Sequence, residues 1–313
     1  MTLRRMPAPI QSLATLQPAV ISGVDRIAVC GLGLIGGSVV RALRAAGHAG
    51  RITGLDIDAA LVRRVKAEGW IDAAAEANDA LFADHDLVVL CQPVGALLDF
   101  VECHAAAMAQ GRAVVLDVAS VKSPVAAMLR GQAAAARFVP SHPIAGKALH
   151  GWDASEAGLF AGKRCILTPD AATEPAAIAR ASDFWSLLGC QVSTMQAEDH
   201  DAIYAAISHL PQVLTYAYLH SLGSREDAGD WPAYKGSGFS GFTRLGSSDS
   251  DLWADIAIHN RKPLIHEIDC LSDALALMRH QLSVGDAAAL AESFEMARRF
   301  HAQSSAPVDG PPA

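Results

Sequence analysis

Short apolar runs closed by turn-forming residues recur through the first two thirds of this chain. The first, Ile27-Ala28-Val29-Cys30, is followed by a cluster of glycines, a helical pattern through residue 46 and a second run over 51–56. This order predicts a strand, a tight turn, a helix and a second strand, a βαβ unit. Further runs at 87–91, 113–117, 137–140, 165–168 and 191–195 alternate with alanine-rich segments, and alanine is the best helix former. Their recurrence predicts one mainly parallel sheet covered by helices over 24–195. Beyond 196 the pattern becomes helical over 199–222, 250–270 and 271–299, with almost no strand signal. A second, all-helical domain is therefore expected over 196–303. Helices this apolar need a partner surface, so the helical domain is expected to pair with a second copy as a homodimer. The flanks, 1–23 and 304–313, mix proline and small polar residues and are expected to be flexible or disordered tails.

The chain of 313 residues is 51% apolar and 19% charged, enough for full globular cores in two domains. A net charge of −8 offers no general attraction to a polyphosphate backbone or an anionic bilayer, so neither nucleic acid nor membrane is expected as a partner. No apolar stretch reaches the roughly 20 residues that span a bilayer. An anionic substrate would need local cations, which gives weight to each arginine near a pocket. The six cysteines are scattered without a Cys-x-x-Cys pair or a metal-ligand spacing to histidine. They imply a reducing, cytoplasmic setting and no metal.

The glycine cluster is Gly31-Leu32-Gly33-Leu34-Ile35-Gly36-Gly37-Ser38. Between a strand and a helix, Gly31 permits the tight turn, Gly33 admits a pyrophosphate and Gly36 lets helix and strand pack closely. Leu34 and Ile35 open the helix whose N-terminus would face the phosphates. Asp56 ends the second strand, where a carboxylate accepts the adenosine ribose hydroxyls. These are the features of a Rossmann-type α/β dinucleotide-binding domain. Asp56 and Asp58 would repel the 2′-phosphate of NADP, and the nearest arginines, Arg63 and Arg64, lie on the following helix. NAD is the expected cofactor.

Two more segments fall at strand ends on the cofactor side: Asp117-Val118-Ala119-Ser120-Val121-Lys122 and Pro140-Ser141-His142-Pro143-Ile144-Ala145-Gly146. Ligands of open α/β sheets bind beyond the carboxyl ends of strands, so Ser120 and His142 are candidates to act at a nicotinamide. A histidine can take a hydroxyl proton as hydride leaves, and a serine can bond the same oxygen. A histidine in such a turn also suits simple packing.

Together the segments GLGLIGGS, DVASVK, SHPIAG, GLFAGKRCILTP, SHLP and GFTRLGSSDSDLW, in order from about residue 24 to 299, resemble the prephenate and arogenate dehydrogenase family of TyrA type. The resemblance implies NAD-dependent oxidative decarboxylation of a cyclohexadienyl acid on the route to tyrosine. His142 would deprotonate the ring 4-hydroxyl with Ser120 beside it, and Arg244 would hold a substrate carboxylate. It also implies that SHLP lies on a helix facing the substrate, making His209, Gln212 and Trp253 further pocket residues, while a proline-kinked core helix equally accounts for His209 and interface packing for Trp253. His200 is assigned to a helix start, and Lys122 and Lys147 either to the neighbourhood of an anionic ligand or to solvent.

The chain departs from the family pattern at Gln212, where many relatives carry histidine, and at Ala148 and Gly241, which are often acidic. These positions surround the side-chain end of the substrate and leave open the choice between prephenate and arogenate. A nucleotide fold followed by helices also suits the β-hydroxyacid dehydrogenases, 6-phosphogluconate dehydrogenase and pyrroline-carboxylate reductase. A non-catalytic NAD-sensing module fits the fold as well, but has no need of a Ser120 and His142 pair.

Overall fold

The computed structural model describes residues 11–12, 23–147 and 149–304. Of the expected tails, all but Gln11, Ser12, Gly23 and Ser304 lie outside the described residues, as does Ala148. The elements are β1 (Gln11–Ser12), β2 (Arg26–Cys30), α1 (Leu34–Ala45), β3 (Arg51–Leu55), α2 (Ala59–Ala67), β4 (Ala73–Ala74), α3 (Ala80–Asp84), β5 (Leu87–Leu90), α4 (Val94–Gln110), β6 (Val114–Asp117), α5 (Ser123–Leu129), β7 (Phe138–Val139), β8 (Ser141–Pro143), β9 (Arg164–Leu167), α6 (Pro175–Leu187) and β10 (Gln191–Thr194). Helices follow: α7 (Ala197–Tyr204), α8 (Leu210–Gly223), α9 (Ser237–Phe242), α10 (Ser250–His259), α11 (Arg261–Ser283) and α12 (Ala287–Ser304).

Six strands form a parallel sheet in the order β4-β3-β2-β5-β6-β7. Alternate residues of β2 serve two cores: Ile27 and Val29 pack on one face of the sheet, Ala28 and Cys30 on the other. That double burial is why the strand reads as an unbroken apolar run.

The expectation of one sheet is corrected, because β8, β9 and β10 leave it for a second, mixed sheet in the order β1-β10-β9-β8. Pro140 stands between β7 and β8. A proline has no N–H to give a ladder, so the chain leaves the first sheet there. The Pro140 carbonyl instead accepts Thr168 N–H at 2.9 Å, beside the antiparallel pairing of β8 with β9.

In the helical part, α7 and α8 run on through a π-helical turn at Ala205–His209. Pro211 follows this turn, and its missing N–H leaves a carbonyl one turn earlier without its α-helical donor. The other two helical patterns divide differently from expectation. One breaks at Asn260, and α11 runs through Cys270 to end before Gly285, whose φ of +67° closes the helix. No helix among the described residues is long and apolar enough to cross a membrane.

Carboxylates from the helical part cap helices of the parallel-sheet part. Asp255 of α10 accepts Gly95 N–H at the start of α4 at 3.1 Å. Asp201 of α7 accepts Lys122 and Ser123 N–H at the start of α5 at 2.8 and 2.7 Å. Each satisfies orphan donors at a positive helix end.

The tightest packing is in the glycine turn. Gly31 adopts φ +92°, and a Cβ at Gly36 would stand 1.8 Å from the Gly31 carbonyl oxygen. Because that neighbour is backbone, Gly36→Ala is expected to cost about 2–3 kcal/mol or more. Urea unfolding checks this, and an unchanged midpoint would show that the turn can open.

Candidate active site

The N-terminus of α1 has no side-chain cap and no acid in its first turn. Its first N–H groups are therefore free for an anion. A Cβ at Gly33 would meet nothing within 4 Å, so the backbone is open on that side. Asp56 is held at the end of β3 with Oδ2 accepting Leu32 N–H at 2.6 Å and Oδ1 accepting Asp58 N–H at 3.0 Å. It braces the glycine turn, and each oxygen keeps a lone pair for a further donor. Asp58 caps α2 through Ala60 and Leu61 N–H. Gln92 adds a buried Oε1 without a partner among the described residues. An uncapped helix start, an open glycine and a carboxylate at the neighbouring strand end fit a dinucleotide.

These residues open onto a cavity of about 580 Å³ whose wall includes Gly33, Leu34, Ile35 and Gln92, and also Ser120, His142 and Arg244. Gly31, Gly36 and Asp56 shape the turn behind it. Ser120 sits on the loop after β6, where Asp117 Oδ1 accepts Ala119 N–H at 2.9 Å and tightens the backbone.

His142, on β8, is 9% exposed. Its Nδ1 lies 2.8 Å from His200 Nε2, and His200 Nδ1 lies 2.8 Å from Asp201 Oδ1. A carboxylate only accepts, so neutral His200 carries its proton on Nδ1 and offers a lone pair at Nε2. His142 must then donate from Nδ1, which leaves its own Nε2 as a proton acceptor. Burial, with His200 and Lys122 nearby, holds the His142 pKa well below the ordinary 6.5. Burial alone would push the Asp201 carboxyl up, but bonds from His200, Ser123 and Lys122 outweigh it and hold it down. The result is a neutral imidazole backed by a permanent negative charge.

His200 lies in the first turn of α7 beside Glu198 and Asp199, the helix start expected for it, but it is also fully buried there as the link between His142 and Asp201, a role the sequence did not show. The adjacent pair His200-Asp201 was the available signal. The placement of Lys122 is corrected. It is neither at the cavity nor in solvent, but wholly buried in an ion pair with Asp117, donating to Ser141 O at 2.7 Å. It thereby ties the Ser120 loop to the strand carrying His142.

At the other end of the cavity, Arg244 lies in the short helix Thr243–Ser247 and has no ion pair among the described residues. Gln212 and Trp253 line the same wall, and Lys147 does so while paired with Glu156 at 2.6 Å. His209 stands behind this wall, its ring 6.1 Å from that of Trp253. Asn260 Nδ2 donates both to Asp201 O and to His209 Nδ1, at 2.9 Å each. His209 therefore carries its proton on Nε2, and burial pushes its pKa down to about 4. Asn260 is a second site residue not foreseen in the sequence, where an asparagine between two helical patterns reads as a turn.

The family model described as the nucleotide-binding domain of prephenate dehydrogenase matches residues 39–194, and that of its dimerization domain matches residues 196–296. Cyclohexadienyl dehydrogenase of Zymomonas mobilis is 33% identical over 87% of this chain and 94% of that protein. Prephenate dehydrogenase of Bacillus subtilis is 29% identical over 88% of this chain and 75% of its own length. Among solved structures, Aquifex aeolicus prephenate dehydrogenase in complex with hydroxyphenyl propionate and NAD+ has a TM-score of 0.81 at 28% identity, covering 90% of this chain and 99% of that one. Synechocystis arogenate dehydrogenase has a TM-score of 0.73 at 26% identity, covering 89% and 99%.

His142, His200 and His209 are all held below the ordinary histidine pKa by burial. As pH falls through 6.5 the unfolded chain takes up protons at these positions before the folded chain does, so folding stability falls with pH. For His209 the loss runs from about 6.5 to about 4, below which both states are protonated. Urea midpoints measured from pH 7 to pH 4 are expected to fall, and His209→Gln is expected to flatten the slope. A slope identical in wild type and variant would contradict the burial.

Proposed function

The chain belongs to the prephenate dehydrogenase family, and from that premise we propose that it catalyses NAD-dependent oxidative decarboxylation of prephenate or arogenate, or both, to 4-hydroxyphenylpyruvate or tyrosine. The observation that carries this reading is the His142–His200–Asp201 chain opening onto the cavity that also holds the glycine turn and Arg244.

Bound NAD supplies the acceptor for the hydride that leaves ring C4. His142 Nε2 takes the proton of the 4-hydroxyl, and Ser120 bonds the same oxygen. As positive charge develops on His142, its Nδ1–H is shared with His200, whose own proton is held by Asp201. The charge is thus met by a carboxylate already buried and already bonded, with little reorganisation. The ring carboxylate leaves as CO2, and the electron pair of the broken C–C bond passes through the ring to the 4-oxygen. That oxygen takes its proton back from His142 to become the phenol, and aromatisation drives the step. Arg244 clamps the side-chain carboxylate through a planar pair of charge-assisted bonds, while Trp253 packs against the ring. Gly33, Leu34 and Ile35 cradle the pyrophosphate, with Gly31 and Gly36 shaping the turn, and Asp56 takes the ribose hydroxyls and disfavours a 2′-phosphate.

A homodimer formed through the helical domain fits the match to a dimerization domain and the exposed apolar residues of α11 and α12, among them Leu275, Leu282, Phe294 and Phe300. Six free cysteines suit work in the cytoplasm.

Initial rates with prephenate and arogenate, each with NAD and NADP, test the assignment; no turnover of either substrate by folded protein would remove it. His142→Ala is expected to lower kcat by about 10²-fold or more with NAD affinity little changed. Wild-type kcat in that variant would take His142 out of the chemistry.

Arg244→Ala and Arg244→Lys are both expected to raise the substrate KM strongly, because lysine cannot reproduce the planar fork. The KM for NAD should barely move. An unaltered substrate KM in both variants, with circular dichroism confirming the fold, would send the carboxylate elsewhere.

A further inference from the structure

Gln212 sits on α8 with its side chain in the cavity wall, and its amide is not free to turn. Nε2 donates to the Leu245 carbonyl oxygen at 2.8 Å. That oxygen can only accept, so the NH2 end of the amide must face it. The other end, Oε1, is buried and has no partner among the described residues. A buried acceptor left unpaired is costly, and such an atom suits a donor that arrives with a ligand.

The surroundings say what kind of donor. Leu245 follows Arg244 in one short helix, so the element that carries the Arg244 guanidinium also fixes the amide. Asp249 is the one carboxylate among the residues lining this cavity. Its Oδ1 caps α10 through Asp251 and Leu252 N–H, and Oδ2 has no bonded partner among the described residues. The wall of this cavity therefore offers the Arg244 cation and two acceptors. An α-amino acid group, a carboxylate and an ammonium on one carbon, is the complement of that set. A 2-oxo acid carries acceptors only, and its keto oxygen would be set against Gln212 Oε1.

We propose that Gln212 Oε1 receives the ammonium group of the substrate side chain, so that this chain prefers the cyclohexadienyl amino acid, arogenate, to the 2-oxo acid, prephenate; the inference rests on the reaction proposed above. A hydrogen bond to a charged donor lost inside such a site lowers specificity by about ten-fold or more.

The test compares kcat/KM for arogenate and prephenate, at saturating NAD, in wild type, Gln212→Met and Gln212→His. Wild type is expected to favour arogenate by about ten-fold or more. Gln212→Met removes the acceptor at similar volume, and its loss on arogenate should exceed its loss on prephenate about ten-fold, mainly in KM. Gln212→His, which can offer an N–H, should move the ratio further toward prephenate. A wild-type preference for prephenate, or equal losses on both substrates in Gln212→Met, would overturn the role of Gln212 and leave the reaction standing. No turnover of either substrate by folded, NAD-binding protein would overturn the reaction and this inference with it. Should the variants not fold, calorimetric titration of the wild-type protein with NAD present decides alone. Tyrosine is expected to bind more tightly than 4-hydroxyphenylpyruvate, and the reverse order would overturn the proposal.

Discussion

Asp201 holds the two halves of the chain to one another, and the chemistry depends on how it does so. Its carboxylate receives two backbone N–H groups from the start of α5 and the proton of His200, and its carbonyl receives Asn260. A buried carboxylate persists only where its lone pairs are filled. Here the donors come from the parallel-sheet half on one side and from the helical half on the other. Docking of the halves and orientation of His142 are therefore one event. Asp255 repeats the device at the start of α4, so two helix dipoles of one half point at carboxylates of the other.

The same arrangement separates charge from reactivity. The negative charge is kept one residue back, on Asp201, while the group facing the cavity is a neutral imidazole with a defined tautomer. A carboxylate in the place of His142 would repel the ring carboxylate of the substrate. A lone buried histidine would have no partner for its second nitrogen and no reason to prefer one tautomer. Tyr204 packs against both rings, 5.0 Å from that of His142 and 4.5 Å from that of His200, and helps exclude water from the chain between them.

What could be read from the sequence was what is local. The glycine spacing and Asp56 lie within one βαβ unit, so turn, helix start and acid can be placed without knowing the rest of the fold. The motifs around Ser120, His142 and Arg244 likewise mark places where strands or helices end. What escaped was set by distant partners. The move to a second sheet at Pro140 depends on β8 pairing with β9, more than twenty residues away in sequence. The roles of His200 and Asn260 depend on the partners that the fold brings to them, His142 and Asp201 for one and Asp201 and His209 for the other, and periodicity does not show that. The orientation of the Gln212 amide is decided by the Leu245 carbonyl, which no pattern in the sequence announces.

Lys122 carries a consequence of another kind. Its ammonium is wholly enclosed between Asp117 and the Ser141 carbonyl. An amine-reactive reagent cannot approach it in the closed molecule, so acylation at this position would count only those molecules that have opened around β6 and β8. The protein thus contains a chemical clock for the integrity of its own reaction centre, read by peptide mass rather than by turnover.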